Sequence, residues 1–338
     1  MAVGALQKAA AQTLQNNTVL YTQAGATLHV QGDMVNTATV SDFGGLGTLS
    51  ITGNLTNNKV DIATVRGNVI FAGTTLQTYG GASGIKFNNF QINNPAGLTF
   101  GTGVLIIIDG VATFTNGIVN TLLPANTFVF NPTASHTGAK DASHINGYTS
   151  VLGGRTGAFS FPVGNGTKLQ KLDADITSGA SFRVRYIAGD AGTGTFVTTG
   201  SKTTPLMAYN TGEHWEVNLS SGSVVSSFTA FWDGTNDANA TIVPSVRRIA
   251  HKAITGVWQN EGGYGTGTAA AGSVKGNSFT LGNGTHLIAM GWEDITLPLS
   301  WLNVNATDTK DQKVQVQWQV SESNVATYIV ERNINGAG

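Results

Sequence analysis

The sequence predicts an all-β protein that opens with a parallel β-helix, or β-solenoid, and continues as a β-sandwich. Three observations carry that prediction. An apolar-x-apolar-x-Gly pattern recurs through the first half of the chain. Only 11% of residues are charged, against about 25% in a typical globular domain, while Gly fills 44 of 338 positions. The second half reads as short alternating runs separated by Gly, Asn and Ser clusters, the pattern of strands and turns.

The repeat comes first. Leu28-His29-Val30-Gln31-Gly32-Asp33 returns as Leu49-Ser50-Ile51-Thr52-Gly53-Asn54. Looser copies follow at Val69–Gly73 and Ile106–Gly110, and Phe90–Asn94 fits with Asn in place of Gly. Alternate residues of a strand share a face, so the apolar positions point inward together. The glycine that follows is expected to turn the corner through a positive φ. Asn36 and Asn57 occupy equivalent places three residues after Asp33 and Asn54, which predicts a polar ladder at the corners. One coil cannot bury its apolar face alone, so several must stack. Starts at 28, 49 and 69 are nearly evenly spaced, as one coil per repeat requires; a sandwich of similar hairpins would not need this. Leu28, Leu49 and Val69 are expected in one interior ladder, and Val30, Ile51 and Phe71 in the next.

Along the chain, residues 1–16 read as an export-signal remnant or flexible arm, because Ala9-Ala10-Ala11 resembles a cleavage site behind a short apolar stretch. Residues 17–150 are assigned to the solenoid. Residues 151–294 are assigned to a β-sandwich-like domain, with strands expected at Phe182–Tyr186, His214–Leu219, Phe228–Trp232 and His286–Met290. Leu297-Pro298-Leu299 marks a linker into a last module, 295–338. There Val314, Val316, Trp318 and Val320 share one strand face, and Tyr328, Val330 and Arg332 another.

Three stretches resemble a known group. Gly67–Gly73, Ile85–Asn94, Gly97–Phe100 and Phe114–Val119, in that order, are similar to the repetitive exported surface proteins of Bacteroidota-type bacteria, often cargo of type IX secretion. Asn146-Gly147-Tyr148 and Phe159–Thr167 match the segment that closes the solenoid in that group. Asn165 stands where the group usually has Asp, which would weaken any calcium site there. Residues 297–336 look like the beginning of the fibronectin type III-like module these proteins carry near their C-termini. The resemblance implies secretion to the cell surface. It also implies that the remainder of the chain's own length completes that module, since three strands at 302–306, 314–320 and 327–332 fall short of a seven-stranded sandwich.

Charge and motifs exclude several classes. The formal net charge is −1 and no basic stripe exists, so nucleic acid is not an expected partner. No apolar run approaches the ~20 residues of a membrane helix. Without cysteine there is no disulfide, thiolate metal site or cysteine nucleophile. No nucleophile elbow, P-loop or zinc-protease motif occurs. Gly265–Ala270 matches a dinucleotide fingerprint only in letters, without the strand-turn-helix context. Six histidines are scattered through the chain, none two or four residues from another. Asp173 and Asp175 alternate along a strand and read as an exposed polar face.

Two site candidates remain. Asp233, Asp237 and Asn239 place oxygen donors at alternate positions, as a calcium loop would, although Pro244 stands where an EF-hand needs Glu and Asx turns explain the same residues. Trp258 and Tyr264 flank a Gly-rich loop and could stack on sugar rings, although Trp in a β-sandwich is more often core. No other cofactor is expected. The functional expectation is a secreted or cell-surface structural or adhesion protein, non-catalytic, that meets an extracellular surface, glycan or matrix. The alternative is a carbohydrate-binding or polysaccharide-degrading β-helix enzyme, whose acidic and basic residues would line one solenoid face. Asp33, Asp42, Lys59, Asp61, Arg66, Lys86 and Asp109 do not recur in register, which argues against it. A trimeric host-binding fibre is a third possibility.

Overall fold

A computed structural model describes residues 12–37, 43–59, 63–121, 127–189, 206–210, 212–233, 242–293, 300–309, 311 and 313–321. The chain divides into two compact units, Met1–Glu293 and Asp294–Gly338. The first unit begins as a parallel β-solenoid of about six turns. Each turn has three faces, exemplified by Leu14–Asn16, Leu20–Tyr21 and Thr27–Val30. The first face stacks eight parallel strands, from Leu14–Asn16 through Met34–Asn36 and Leu55–Asn57 to Val163–Gly164. In Ala63–Phe71 and Ile85–Asn93 the second and third faces are one continuous strand, with a register shift between Phe87 and Asn89.

Both expected ladders are present. On the third face Leu28 pairs in register with Leu49, and Leu49 with Val69; Val30 pairs with Ile51, and Ile51 with Phe71. They continue through Phe90 and Ile92. The second face adds Val65, Phe87, Ile108, Phe130 and Val151 in line. These side chains form one buried core, with Leu28 half-buried at its edge.

The corner asparagines also stack. Asn16 Nδ2 donates to Asn36 Oδ1 (3.0 Å), and Asn36 Nδ2 donates to Asn57 Oδ1 (2.9 Å). Asn57 Nδ2 then donates to the Gly84 carbonyl at 2.8 Å. Asn36 and Asn57 are wholly inaccessible to solvent. A side-chain amide offers both donor and acceptor, so identical residues one coil apart satisfy each other where no water reaches.

The corner glycines correct one expectation. Gly32 has φ 140°, but Gly53, Gly73 and Gly110 do not adopt the left-handed region. They are needed for space instead. A Cβ on Gly53 would lie 2.3 Å from the Gly32 carbonyl carbon, and one on Gly110 2.6 Å from Asn89 Oδ1. Coils separated by one strand spacing, about 4.8 Å, leave no room there for a side chain.

The parallel stack ends where Thr149–Val151 pairs antiparallel with Phe182–Ala188. From that edge the sheet continues antiparallel through Glu213–Leu219, Gly284–Glu293 and Arg247–Ala253. A second antiparallel sheet holds Gly157–Phe161, Leu172–Gly179, Val224–Trp232, Gly272–Lys275 and Tyr264–Gly267. Phe161, Leu172, Phe228 and Val274 from this sheet share the solenoid's core with Val184, Trp215 and Ile288 from the other. The four strands expected between 182 and 290 all fall inside observed ones.

In the second unit Ser300–Asp308 and Val314–Ser321 form a hairpin that pairs Val304 with Trp318 and Asn305 with Gln317. Two of the three strands expected there are thus present; the third, 327–332, lies outside the described residues. Val314, Val316 and Trp318 are exposed on one face. Among the described residues no helix is long and apolar enough to cross a membrane.

Candidate contact face of the solenoid

The third face of the solenoid turns two rows of side chains outward. Alternation fixes them: where Leu28 and Val30 point in, Thr27 and His29 point out. The inner-edge row runs Thr27, Thr48, Asn68, Asn89 in register. The second runs His29, Ser50, Ile70, Gln91, Thr113, Thr137. Apart from His29, no member is a titratable side chain.

The rows are tied together along the stack. His29 Nδ1 meets Ser50 Oγ at 3.2 Å. Asn89 Nδ2 donates to Asn68 Oδ1 at 2.9 Å, while Asn89 Oδ1 accepts from the Val111 amide at 2.9 Å. Gln91 Nε2 donates to Thr115 Oγ1 at 2.9 Å. Hydrogen bonds that run coil to coil hold each amide in one orientation, so the face presents a fixed pattern of donors and acceptors. A groove of about 260 Å³ follows the rows, lined by Asn68, Ile70, Asn89, Gln91, Val111 and Thr113. A larger one, about 490 Å³, opens at the adjoining corner between His29, Asp33, Thr52, Asn54 and Gln77. Asp33 Oδ1 there accepts from the Asn54 amide (2.7 Å), and Asn54 Oδ1 from the Thr78 amide (2.8 Å).

No family model, curated protein or solved structure matches this chain. Its chemistry therefore has to be read from the arrangement itself. The groove combines amides and hydroxyls, which both donate and accept, with the aliphatic surfaces of Ile70 and Val111. Such a surface suits a ligand with hydroxyl edges and apolar faces better than an ion.

The sites expected from sequence fall elsewhere. Asp233 is exposed at the end of Val224–Trp232, while Asp237 and Asn239 lie outside the described residues. Among the described residues no group of three or more acidic or histidine side chains could hold a metal. Trp258 and Tyr264 do not act together. Trp258 is fully buried, stacked on Tyr209 at 4.5 Å, so its ring presents no open face. Tyr264 is 73% exposed, with the Arg248 guanidinium 4.5 Å above its ring. Gly265–Ala270 spans the end of one strand and a hairpin turn, not a helix start. Asp173 and Asp175 do share a face, each paired with a lysine: Asp173 with Lys171 at 3.3 Å, Asp175 with Lys275 at 2.8 Å.

Asn165 serves a turn. Its Oδ1 accepts from the Thr167 and Lys168 amides at 3.0 and 2.8 Å. The same turn rests on His144, whose Nε2 accepts from the Gly166 amide while Nδ1 donates to the Lys140 carbonyl, both at 3.1 Å. That pattern requires the neutral ring, and burial accordingly lowers the His144 pKa.

Two polar clusters could not be found by spacing. Glu216, buried in its strand, accepts from Tyr148 Oη (2.8 Å) and from Arg185 (2.6 Å), residues up to 68 positions away. Burial, then the Glu216 charge, pushes the Tyr148 pKa up to about 12. His251 and His286, scattered in the sequence, meet at 2.9 Å. Cross-strand pairing brings both clusters together, and it leaves no local signature.

Proposed function

We propose that this chain is a secreted or cell-surface structural or adhesion protein that acts by contact and not by catalysis. The outward rows of the third solenoid face form its contact surface. The observation that supports this reading is two adjoining in-register rows, Asn68 with Asn89 and Ile70 with Gln91 and Thr113, that line a groove with uncharged polar groups and an aliphatic floor. Rungs repeat at about 4.8 Å, so two rungs span roughly one disaccharide of an extended chain. An uncharged, extended polysaccharide is the ligand this surface suits best. In this reading the antiparallel sheets are a β-sandwich that closes the solenoid. The last unit belongs to a fibronectin type III-like module, and the whole is cargo of a Bacteroidota-type secretion route. Calcium at Asp233, Asp237 and Asn239 would be a stabilising accessory.

Affinity electrophoresis against neutral and acidic polysaccharides tests the ligand. Retardation is expected with neutral, extended polymers, and it should be lost in Gln91→Ala and Ile70→Asp but retained in Lys86→Ala. Equal retardation by acidic polymers, or indifference to the groove variants, overturns the assignment. Turnover of any polysaccharide, read as new reducing ends, overturns the non-catalytic reading. Protease shaving of producing cells tests localisation: a chain cleaved only after lysis is not a surface protein.

A further inference from the structure

We propose that Glu261, His251, His286 and the Gly282 carbonyl form a proton-holding latch in which His251 is an imidazolium, and that loss of its proton frees the Glu261 side chain and loosens its segment.

The argument is a count of hydrogens. His286 Nε2 lies 3.0 Å from the Gly282 carbonyl oxygen, which can only accept, so Nε2 carries a proton. In a neutral His286 the other nitrogen, Nδ1, is then an acceptor. It lies 2.9 Å from His251 Nε2, which must therefore donate. His251 Nδ1 lies 3.0 Å from Glu261 Oε1. An ionised carboxylate only accepts, so His251 Nδ1 must donate too. Three bonds in series thus require one proton more than two neutral imidazoles supply.

The surroundings put that proton on His251. His251 makes the ion pair with Glu261, and the two side chains are only 8% and 15% exposed. Phe279 stacks on the His251 ring at 4.7 Å, a contact that favours a cation. Burial lowers the His286 pKa, and the neighbouring His251 charge lowers it further. Other charged groups on the packed elements are engaged elsewhere or face away. Lys275 pairs with Asp175. Arg247 lies over Trp232, Arg248 over Tyr264 with Glu293 as its partner, and Lys252 on the Trp258 side of the sheet.

The latch joins three segments: Arg247–Ala253, Gly284–Glu293 and the stretch around Glu261. Without the extra proton, two lone pairs face each other at one of the three junctions, and a buried carboxylate or ring nitrogen loses its donor. The Glu261 side chain then gains by turning to water. Its backbone keeps four bonds, Glu261 amide to Ile249 carbonyl (2.8 Å), Asn277 amide to Glu261 carbonyl (2.7 Å), Ile249 amide to Gly262 carbonyl (3.0 Å) and Gly262 amide to Asn260 Oδ1 (2.8 Å), so loss of the side-chain tether loosens the segment without detaching it. The latch is therefore closed at lower pH and opens as pH rises.

Long-range proton–nitrogen NMR correlations of the histidine rings in the full chain read each ring's state directly. The expected result is His251 with both nitrogens protonated and His286 neutral with Nε2–H at the acid end of about pH 5–8, the range in which imidazole titrates. Amide protection at Glu261 and Gly262 should fall about tenfold as His251 loses its proton, the cost of one charge-assisted hydrogen bond. In Glu261→Gln the carboxylate is gone, so His251 should become neutral and the pH-dependence of protection should vanish. A neutral His251 across the whole range in the unmodified chain, or protection at Glu261 unchanged while His251 titrates, overturns the proposal without need of any variant.

Discussion

Replacing Asn36 by Ala should damage the solenoid through its polar ladder, although the substitution removes no apolar contact area. Asn36 is fully inaccessible. It accepts from Asn16 at 3.0 Å and donates to Asn57 at 2.9 Å. Truncation strands two groups at once: the Asn16 amide loses its acceptor and Asn57 Oδ1 its donor. Each buried polar group left without a partner costs ~1–3 kcal/mol, so the variant should lose ~2–6 kcal/mol, with entry of a water at the low end. Asn16→Ala strands Asn36 Oδ1 and frees the amide of the exposed Thr18, which can bond water, so it should cost about half as much. The double variant should cost less than the sum of the two, because Asn16 and Asn36 share one bond. Hydrogen exchange read by mass spectrometry over peptides spanning residues 30–60 measures the local opening free energy directly. Equal losses for Asn16→Ala and Asn36→Ala, or a loss below ~0.5 kcal/mol for Asn36→Ala, would refute the ladder as a load shared between coils.

Gly53→Ala should destabilise by at least ~1–3 kcal/mol, because the added methyl meets backbone atoms at 2.3 and 2.5 Å that cannot move without parting two coils; a melting temperature unchanged from the parent would show that the coils can separate at no cost. Arg185→Ala leaves the Glu216 carboxylate, with 4% of its side chain exposed, facing only Tyr148, and should cost ~3 kcal/mol; the added Glu216→Gln change should recover part of that in urea titration. Stability should also fall under acid conditions. His136, His144 and His286 have pKa values lowered chiefly by burial, so the unfolded chain binds protons first. Their contribution is complete above the unfolded value of about 6.5 and is lost as pH drops from there toward the folded values. His144→Gln should flatten that part of the profile, and an unaltered slope would mean the Gly166–His144 bond does not discriminate against the protonated ring.

Some of this architecture was written in the chain. Leu28, Leu49 and Val69 revealed their stacking because a solenoid pairs each residue with one a single coil away, so the tertiary contact repeats at a fixed sequence interval. Asn36 and Asn57 were visible for the same reason. Strands such as Phe182–Tyr186 were legible because alternation is local. The candidate face was half legible: its residues follow from alternation, but its groove depends on how Ala63–Phe71 and Ile85–Asn93 bend around the coil. Other features had no sequence period to betray them. The antiparallel junction of Thr149–Val151 with Phe182–Ala188 ends the repeat, and pairing between dissimilar segments leaves no interval to detect. The reason for Gly53 was steric crowding between coils and not turn geometry, which only the stacking distance reveals. His251 and His286, 35 residues apart, became partners because strand register set them diagonally across neighbouring strands, His251 opposite Ile288 and His286 opposite Ala253. Local alternation and repetition are encoded residue by residue; who lies across the sheet from whom is decided only when distant strands pair.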